Sequence, residues 1–458
     1  MEAIEKGDGG VFFVYGYGGT RKTFLWKTFL AALRSKSEVV LNVASSGIAS
    51  LLLDGGRTAH SRFVIPININ ENTELGDLTK RATLIIWDEA PMTHKHCFEA
   101  LDRTMRDISR SSQPNMQSKP FGGKVILFGG DFRQILPVIP KGTRTMIVDA
   151  SYIWRHCQIL KLTENMRLRV GCQEADLKEI KEFGEWILKL GDGLLGEEND
   201  GEIDIEIPDD LLIHDQVNPI SSLISFIYPD MNKFLWDLTY FQQRAILAPT
   251  NEVVDSINKE LLESLPGEEK VYFSSDSLCQ SEEESELNMA LFPPDVLNNL
   301  RLSGLPNHKL VLKLGAPLML LRNIDHANGL CNGTRLQVTK LGKVVIEAKI
   351  ITGTNIGHHT LISRLKMTPS DKRIAVKISR RQFPLSLCFA MTTNKSQGQS
   401  LERVGLYLPR PLFSHGQLYV DVYRVKSRNG LKILICDKEK RVCTTTTNVV
   451  YKEVLQNL

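Results

Sequence analysis

The 458-residue chain has no paired-cysteine pattern: its eight cysteines (Cys97, Cys157, Cys172, Cys279, Cys331, Cys388, Cys436, Cys443) lie far apart, with no Cys-x-x-Cys. That spacing argues against a zinc knuckle and against a disulfide framework, so the expectation is buried, reduced thiols in a cytosolic or nuclear protein. No apolar run approaches the roughly 18 residues of a membrane span. Strong charge of one sign is also missing. A net charge of +3 neither announces nor forbids a nucleic-acid partner, and any basic footprint must be local. The opening Met-Glu-Ala-Ile-Glu-Lys-Gly-Asp carries no signal or transit pattern. With the first strand-like segment already at Val11, the chain reads as a partial copy of something longer. Aromatics are 7%, but 42% hydrophobic and 24% charged residues exclude a disordered or collagen-like chain and predict a globular one of two to four domains.

Short apolar runs alternate with helix-like stretches. Val11–Tyr15, Val39–Val43, Leu84–Trp87 and Lys124–Phe128 read as buried strands, and Lys22–Leu33 as a helix. Continuous apolar strands separated by helices are the pattern of a parallel sheet covered on both faces, with functional loops at the carboxyl ends of its strands. Between Glu197 and Asp210 there are eight carboxylates and no Lys or Arg, which predicts a domain edge. Within it, Glu202–Ile207 alternates with period two and predicts a half-buried edge strand. A second parallel-sheet pattern runs through Arg244–Leu247, Leu387–Met391 and Val404–Leu408. The stretch 274–381 interrupts it with an acidic Ser281–Glu286 loop and short β-like runs at Val311–Leu314, Leu318–Leu321, Arg335–Thr339 and Val344–Ala348. The expected class is α/β with two P-loop domains: 1–200, and 201–458 with a small β-rich insertion.

Gly16-Tyr17-Gly18-Gly19-Thr20-Arg21-Lys22-Thr23 follows a strand and opens a helix, the context of a phosphate-binding loop. Glycines let backbone N–H groups curl around phosphates, Lys22 would reach the β- and γ-phosphates, and Thr23 would ligate Mg²⁺. Arg21 stands where that pattern has its second Gly, at a position pressed against bound phosphate. Leu84–Ala90 delivers Asp88 and Glu89 at a strand end, Asp88 for Mg²⁺ and Glu89 for the attacking water. Gly129-Gly130-Asp131-Phe132-Arg133-Gln134 ends a further strand with an amide suited to the γ-phosphate or to water. His94-Lys95-His96-Cys97 lacks a second ligand pair and predicts no metal site.

These motifs occur in order with Val43-Ala44-Ser45-Ser46-Gly47-Ile48-Ala49, Gly56-Arg57-Thr58-Ala59-His60-Ser61-Arg62-Phe63, Leu162-Thr163-Glu164-Asn165-Met166-Arg167 and Asn394-Lys395-Ser396-Gln397-Gly398-Gln399. The series resembles the Pif (petite integration frequency) family of superfamily-one DNA helicases, with plant and Helitron-type copies the nearest in appearance. The resemblance implies two RecA-like domains and an ATP-driven motor that tracks 5′ to 3′ along single-stranded DNA, opens duplex junctions, and serves repair, recombination and telomere maintenance. It implies ATP and Mg²⁺ as cofactors, held by Gly16, Gly18, Gly19, Thr20, Arg21, Lys22, Thr23 and Asp88. Glu89 and Gln134 would serve water and γ-phosphate, with Arg167 and Arg424 as arginine fingers. Ser45, Ser46, Gly47, Thr58, His60, Arg62, Lys395, Ser396 and Gln397 would contact the DNA strand, and Phe63 would stack on a base. In the insertion, Lys372, Arg373, Lys377, Arg380 and Arg381 form a basic cluster that reads equally as a DNA-facing patch or a solvated face. A monomer acting in the nucleus, or in the mitochondrion, is expected, with no membrane partner.

Three features depart from the family pattern. One is Arg21. Another is Tyr419-Val420-Asp421-Val422-Tyr423-Arg424, where the family has Ala-Leu-Ser before the Arg, so that Asp421 is placed to pair with Arg424 and Tyr423 adds bulk. The third is the missing upstream helix whose Gln reads adenine. The alternative function is therefore a catalytically impaired helicase remnant that binds single-stranded DNA.

Overall fold

The computed structural model describes residues 1–65, 73–110, 114–137, 144–148, 151–164, 166, 174–197, 200–279, 293–302, 304–369 and 378–455. The chain divides into two compact units, Met1–Leu223 with Ser396–Leu458, and Ile224–Lys395.

The first unit is built on six parallel strands: β1 (Gly10–Gly16), β2 (Val39–Ala44), β3 (Arg57–Thr58), β4 (Ala82–Asp88), β5 (Val125–Gly130) and β6 (Cys157–Leu162). They lie in the order β3-β2-β4-β5-β1-β6. The continuous apolar runs arise because both faces are covered, so neighbouring residues of one strand enter different cores. Phe13, Ile85, Trp87 and Phe128 join the cluster on one face, and Val14, Leu84, Ile86 and Leu127 the cluster on the other. Helix Lys22–Arg34 supplies Trp26, Leu30 and Leu33, spaced four and three residues apart, to the second cluster. Each such side chain contributes roughly 1.5–3 kcal/mol by leaving water.

Later segments complete this unit. Arg403–Leu408 and Leu431–Cys436 pair in parallel. Glu202–Glu206, the predicted edge strand, pairs antiparallel with Thr445–Val449. Helix Gln417–Tyr423 is almost wholly buried.

The second unit holds the parallel pair Arg244–Ala248 and Ala390–Thr392 and the β-rich region expected between them. Its largest sheet is antiparallel and runs through His359–Ser363, Val345–Ile350, Arg335–Leu341, Pro317–Leu320 and Leu385–Leu387. Ser275–Leu278, Ile378–Gln382 and Leu365–Met367 form a second antiparallel sheet.

That second sheet corrects part of the basic-patch reading. Arg380 has no exposed surface; it sits opposite Asp276 across the strand pair and donates Nε and Nη2 to its carboxylate at 2.7–3.1 Å. Its remaining donors reach the Leu297, Leu300 and Pro306 carbonyls. Every strong hydrogen-bonding direction of the guanidinium is used, which is what allows a charge to be buried. Arg381 is exposed, while Lys372, Arg373, Lys377 and the Ser281–Glu286 loop lie outside the described residues. Asp276→Ala strands a buried guanidinium, so urea unfolding should show a loss of about 3–5 kcal/mol; Arg381→Ala should leave the midpoint within error.

Candidate functional site

Parallel pairing sets the carboxyl ends of β1, β5 and β4 side by side, with Tyr15 level with Gly130 and Trp87 level with Phe128. Two glycines end the middle strand. A Cβ on Gly129 would lie 2.3 Å from the Trp26 ring and 3.2 Å from Asp88 Oδ1, and one on Gly130 would lie 2.3 Å from Pro91. The strand end is thus bare backbone, and the flanking β1 and β4 ends converge on one cavity of about 520 Å³, a size typical of small-molecule sites. Gly18, Gly19, Arg21, Lys22, Thr23, Asp88, Glu89, Gln134 and Arg424 all line it.

In the phosphate loop, Gly16 closes β1; a Cβ there would lie 2.6 Å from Thr20 Oγ1. Buried Thr20 donates that hydroxyl to the Tyr17 carbonyl at 2.6 Å. Gly19 adopts φ +80°. Lys22 is buried and donates Nζ to the Gly16 carbonyl. Arg21, the residue before the helix, has φ +59° and ψ +37°, the left-handed region that glycine enters freely and other residues at a cost. Its side chain is exposed. A glycine would hold that backbone without strain, so the preference for Gly at this position has a conformational basis.

Asp88 is buried, and its Oδ1 accepts the Glu89 N–H at 3.0 Å. Burial pushes its carboxyl pKa up, and Lys22 opposes this. Glu89 also holds a left-handed backbone, φ +52°. Burial first and the Asp88 charge second raise its pKa to about 7, with Lys22 and Arg424 pulling the other way. A carboxyl poised near neutrality suits proton transfer. Gln134 is buried, and its Oε1 has no hydrogen-bond partner among the described residues. Arg424 is buried and donates Nε to the Val420 carbonyl at 3.0 Å and Nη1 to the Gln399 carbonyl at 3.2 Å, with Tyr423's ring 5.5 Å away. Arg167 lies outside the described residues.

A cradle with no room for Cβ atoms, a buried amine, two coupled carboxyls and an unpartnered amide oxygen fit a nucleoside triphosphate with its metal: cationic donors for phosphate, carboxylates for a hard cation. Sequence reasoning missed several lining residues, including Met166, Gly398, Gln399, Ser400 and Tyr423. Gly398–Ser400 directly follow the segment assigned to DNA, and nothing in their types distinguishes the two roles. Tyr423 was noted for bulk, and its hydroxyl lies where a Cβ on Gly18 would be, 1.8 Å from that position.

The expected DNA contacts divide. Phe63 cannot stack on a base: it is fully buried in the core, its ring 6.0 Å from that of Trp87. Ser396 is buried with no exposed surface, and Gln397 is buried nearly as completely. Ser45 Oγ accepts from Trp87 Nε1 and Thr93 Oγ1 at 3.0 and 2.7 Å. Ser46 and Thr58 cap short helices, accepting from the Ala49 and Ser61 N–H groups. Gly47 is half-buried at the start of one of them, His60 is exposed, and half-buried Arg62 reaches the Gly55 carbonyl at 3.2 Å. Lys395, in the second unit, has its pKa lowered by burial, which nearby Asp255 partly offsets.

Comparison with known proteins points to one family. Residues 1–201 match the family model described as PIF1-like helicase, and residues 295–341 match that of the DNA helicase Pif1 2B domain. The chain is 25% identical over 443 residues to the ATP-dependent DNA helicase PIF1 of Xenopus laevis, covering 93% of this chain and 59% of that protein. It therefore spans about three fifths of the length of the curated relatives it matches. Among solved structures it is similar to the Pif1 helicase of Candida albicans, with TM-score 0.63, 22% identity, and 99% and 96% of the two chains covered. Pif1 helicase from Bacteroides in complex with ADP-AlF3 and single-stranded DNA gives TM-score 0.62, 23% identity and coverage of 94% and 92%. The fold is thus two RecA-like P-loop domains with a β-rich insertion in the second.

The raised Glu89 pKa has a stability consequence with a definite sign. A carboxyl that titrates at about 7 when folded and near 4.5 otherwise costs the folded state stability as pH rises between those values. Glu89→Gln does not titrate, so its melting temperature should gain on the parent chain between pH 4.5 and pH 8. A gap that stays constant across that range contradicts the assignment.

Proposed function

Because the chain belongs to the PIF1-like helicase family, we propose that it is an ATP-dependent DNA helicase that moves 5′ to 3′ on single-stranded DNA and opens duplex junctions. The observation that carries this reading is the single cavity in which Lys22, Thr23, Asp88, Glu89, Gln134 and Arg424 meet from separate segments. Lys22 and the loop N–H groups hold phosphate, and Thr23 and Asp88 hold Mg²⁺. When bound, the metal offsets charge on the phosphates and orients them. Glu89 takes a proton from the attacking water, Gln134 orients that water through its free Oε1, and Arg424 offsets charge on the transferred phosphoryl group. DNA contact falls to the exposed His60, to the half-buried Arg62 and to backbone N–H groups near Ser46 and Gly47, which read no base and suit sequence-independent binding. A monomer serving repair, recombination and telomere maintenance in the nucleus or mitochondrion completes the reading, as do domain limits of 1–200 and 201–458 with 274–381 inserted.

Steady-state ATP hydrolysis with and without single-stranded DNA tests it. The chain should show Mg²⁺-dependent, DNA-stimulated turnover that Lys22→Ala reduces by about 100-fold or more. Arg21→Gly should relieve the left-handed strain, worth about 1 kcal/mol, and raise turnover. No turnover from either the chain or Arg21→Gly overturns the motor reading and leaves only strand binding to be measured.

A further inference from the structure

Two segments outside the phosphate loop bring groups to the cavity: the turn 131–134 with Gln134, and the helix Gln417–Tyr423 with Arg424 at its end. A buried knot ties them together. Tyr419 Oη donates to Asp131 Oδ2 at 2.6 Å, and neither side chain is more than 1% exposed. Asp131 Oδ1 accepts the Arg133 N–H at 3.1 Å, and the Asp131 carbonyl accepts the Gln134 N–H at 3.1 Å. On the other side, Arg424 returns its Nε to the carbonyl of Val420, the neighbour of Tyr419. One hydrogen bond thus joins a path from Gln134 through Asp131, Tyr419 and Val420 to Arg424.

A second tie fixes the orientation of the helix. His415 Nδ1 accepts the Tyr451 N–H at 2.8 Å, so its Nε2 carries the proton and donates to the Phe132 carbonyl at 2.7 Å. Gly416, at φ +68°, packs so closely that a Cβ would lie 2.1 Å from the Arg133 carbonyl oxygen. Arg133 in turn clamps Asp192 at 2.7 and 3.2 Å. A Cβ on Gly191 would lie 2.7 Å from the Tyr419 ring and 2.8 Å from Arg133 Cδ. The Tyr419 ring therefore has one place to sit, and its hydroxyl one acceptor to meet. Tyr419 lies outside the cavity and touches it through others: its ring stacks on that of Tyr423 at 5.4 Å, and Tyr423 lines the cavity wall.

We propose that Tyr419 is a positioning residue: its hydrogen bond to Asp131 sets Arg424 and Gln134 in register on the γ-phosphoryl group, so that transition-state stabilisation depends on it and nucleotide binding does not. The inference rests on the nucleotide reading above and adds a residue to it. A phenylalanine would fill the same space and keep the stacking, so the hydroxyl alone is at issue.

The test measures affinity of the full chain for ADP with Mg²⁺, and the tightening that aluminium fluoride adds as a mimic of the transferred phosphoryl group. Tyr419→Phe should leave the ADP Kd within about twofold while losing the fluoride-dependent tightening by about tenfold or more, the scale of losing a transition-state donor. Adding Tyr419→Phe to Arg424→Lys should cost less than the sum of the two single losses, since both act in part through Arg424. If Tyr419→Phe does not fold, its combination with Asp131→Asn leaves no buried carboxylate stranded and should show the same loss. Parent-like tightening in either variant overturns the link while the nucleotide site stands. ADP binding without any tightening in the parent chain also overturns it, because Gln134 and Arg424 are then not in register. No ADP binding by the parent or by Arg21→Gly removes the nucleotide reading and the link with it.

Discussion

The parallel register of β1, β5 and β4 is the constraint on which the site depends. Side-by-side parallel strands end on one edge of the sheet, and that edge receives the phosphate loop from β1 and the Asp88-Glu89 pair from β4. The strand between them ends in Gly129-Gly130, where any side chain would collide with Trp26, Asp88 or Pro91. The space over those two glycines is taken by Trp26 and Pro91, and the cavity is lined by the groups that the β1 and β4 ends carry. Helix Lys22–Arg34 reinforces the arrangement, because the Trp26 that fills the gap above Gly129 is also a member of the core beneath the sheet.

Strain and charge collect at the same edge. Arg21 and Glu89 are both non-glycine residues with left-handed backbones, and both line the cavity. Such conformations persist only where the surroundings over-determine them, and they gather at functional sites. Two carboxyls and an amine share the interior: burial raises both carboxyl pKa values, the Asp88 charge raises that of Glu89 further, and Lys22 opposes both. A cation bound between loop and carboxylates would relieve that repulsion, and an anionic phosphate would complete the partners of Lys22 and Arg424. The empty-handed Gln134 oxygen belongs to the same account.

Much of this was legible in the sequence, for identifiable reasons. Strands buried on both faces leave unbroken apolar runs, so β1, β2, β4 and β5 emerge within two residues of their ends. Residues bound to a strand end by covalent sequence, such as Lys22, Asp88, Glu89 and Gln134, lie together in one cavity. What failed was side-chain direction where no periodicity governs it. Phe63 follows a helix of four residues and turns inward onto Trp87. Arg380 reads as one of five basic residues until the cross-strand Asp276 is known. The hydroxyls of Ser45, Ser46 and Thr58 look available in sequence, yet each has a local backbone or side-chain partner. The positive φ at Arg21 is invisible for a similar reason: only the glycine that other loops carry there hints at it.

The departures from the family pattern bear on function in unequal ways. Arg21 and Tyr423 both border the cavity, one by backbone strain and the other by a hydroxyl set against Gly18. Neither removes a group that holds phosphate, metal or water. Against them stands the cost of what is retained. Burying Lys22, Asp88, Gln134 and Arg424 together, with Glu89 pushed up to about 7, weakens the fold, because buried charge and unpaired amide oxygen are each expensive. An apolar edge would be the more stable solution for a chain that only bound DNA through its surface. The persistence of this unfavourable constellation, and of a buried Tyr419–Asp131 tie whose hydroxyl the packing alone does not need, favours a nucleotide-hydrolysing site over a remnant that keeps the fold and no turnover.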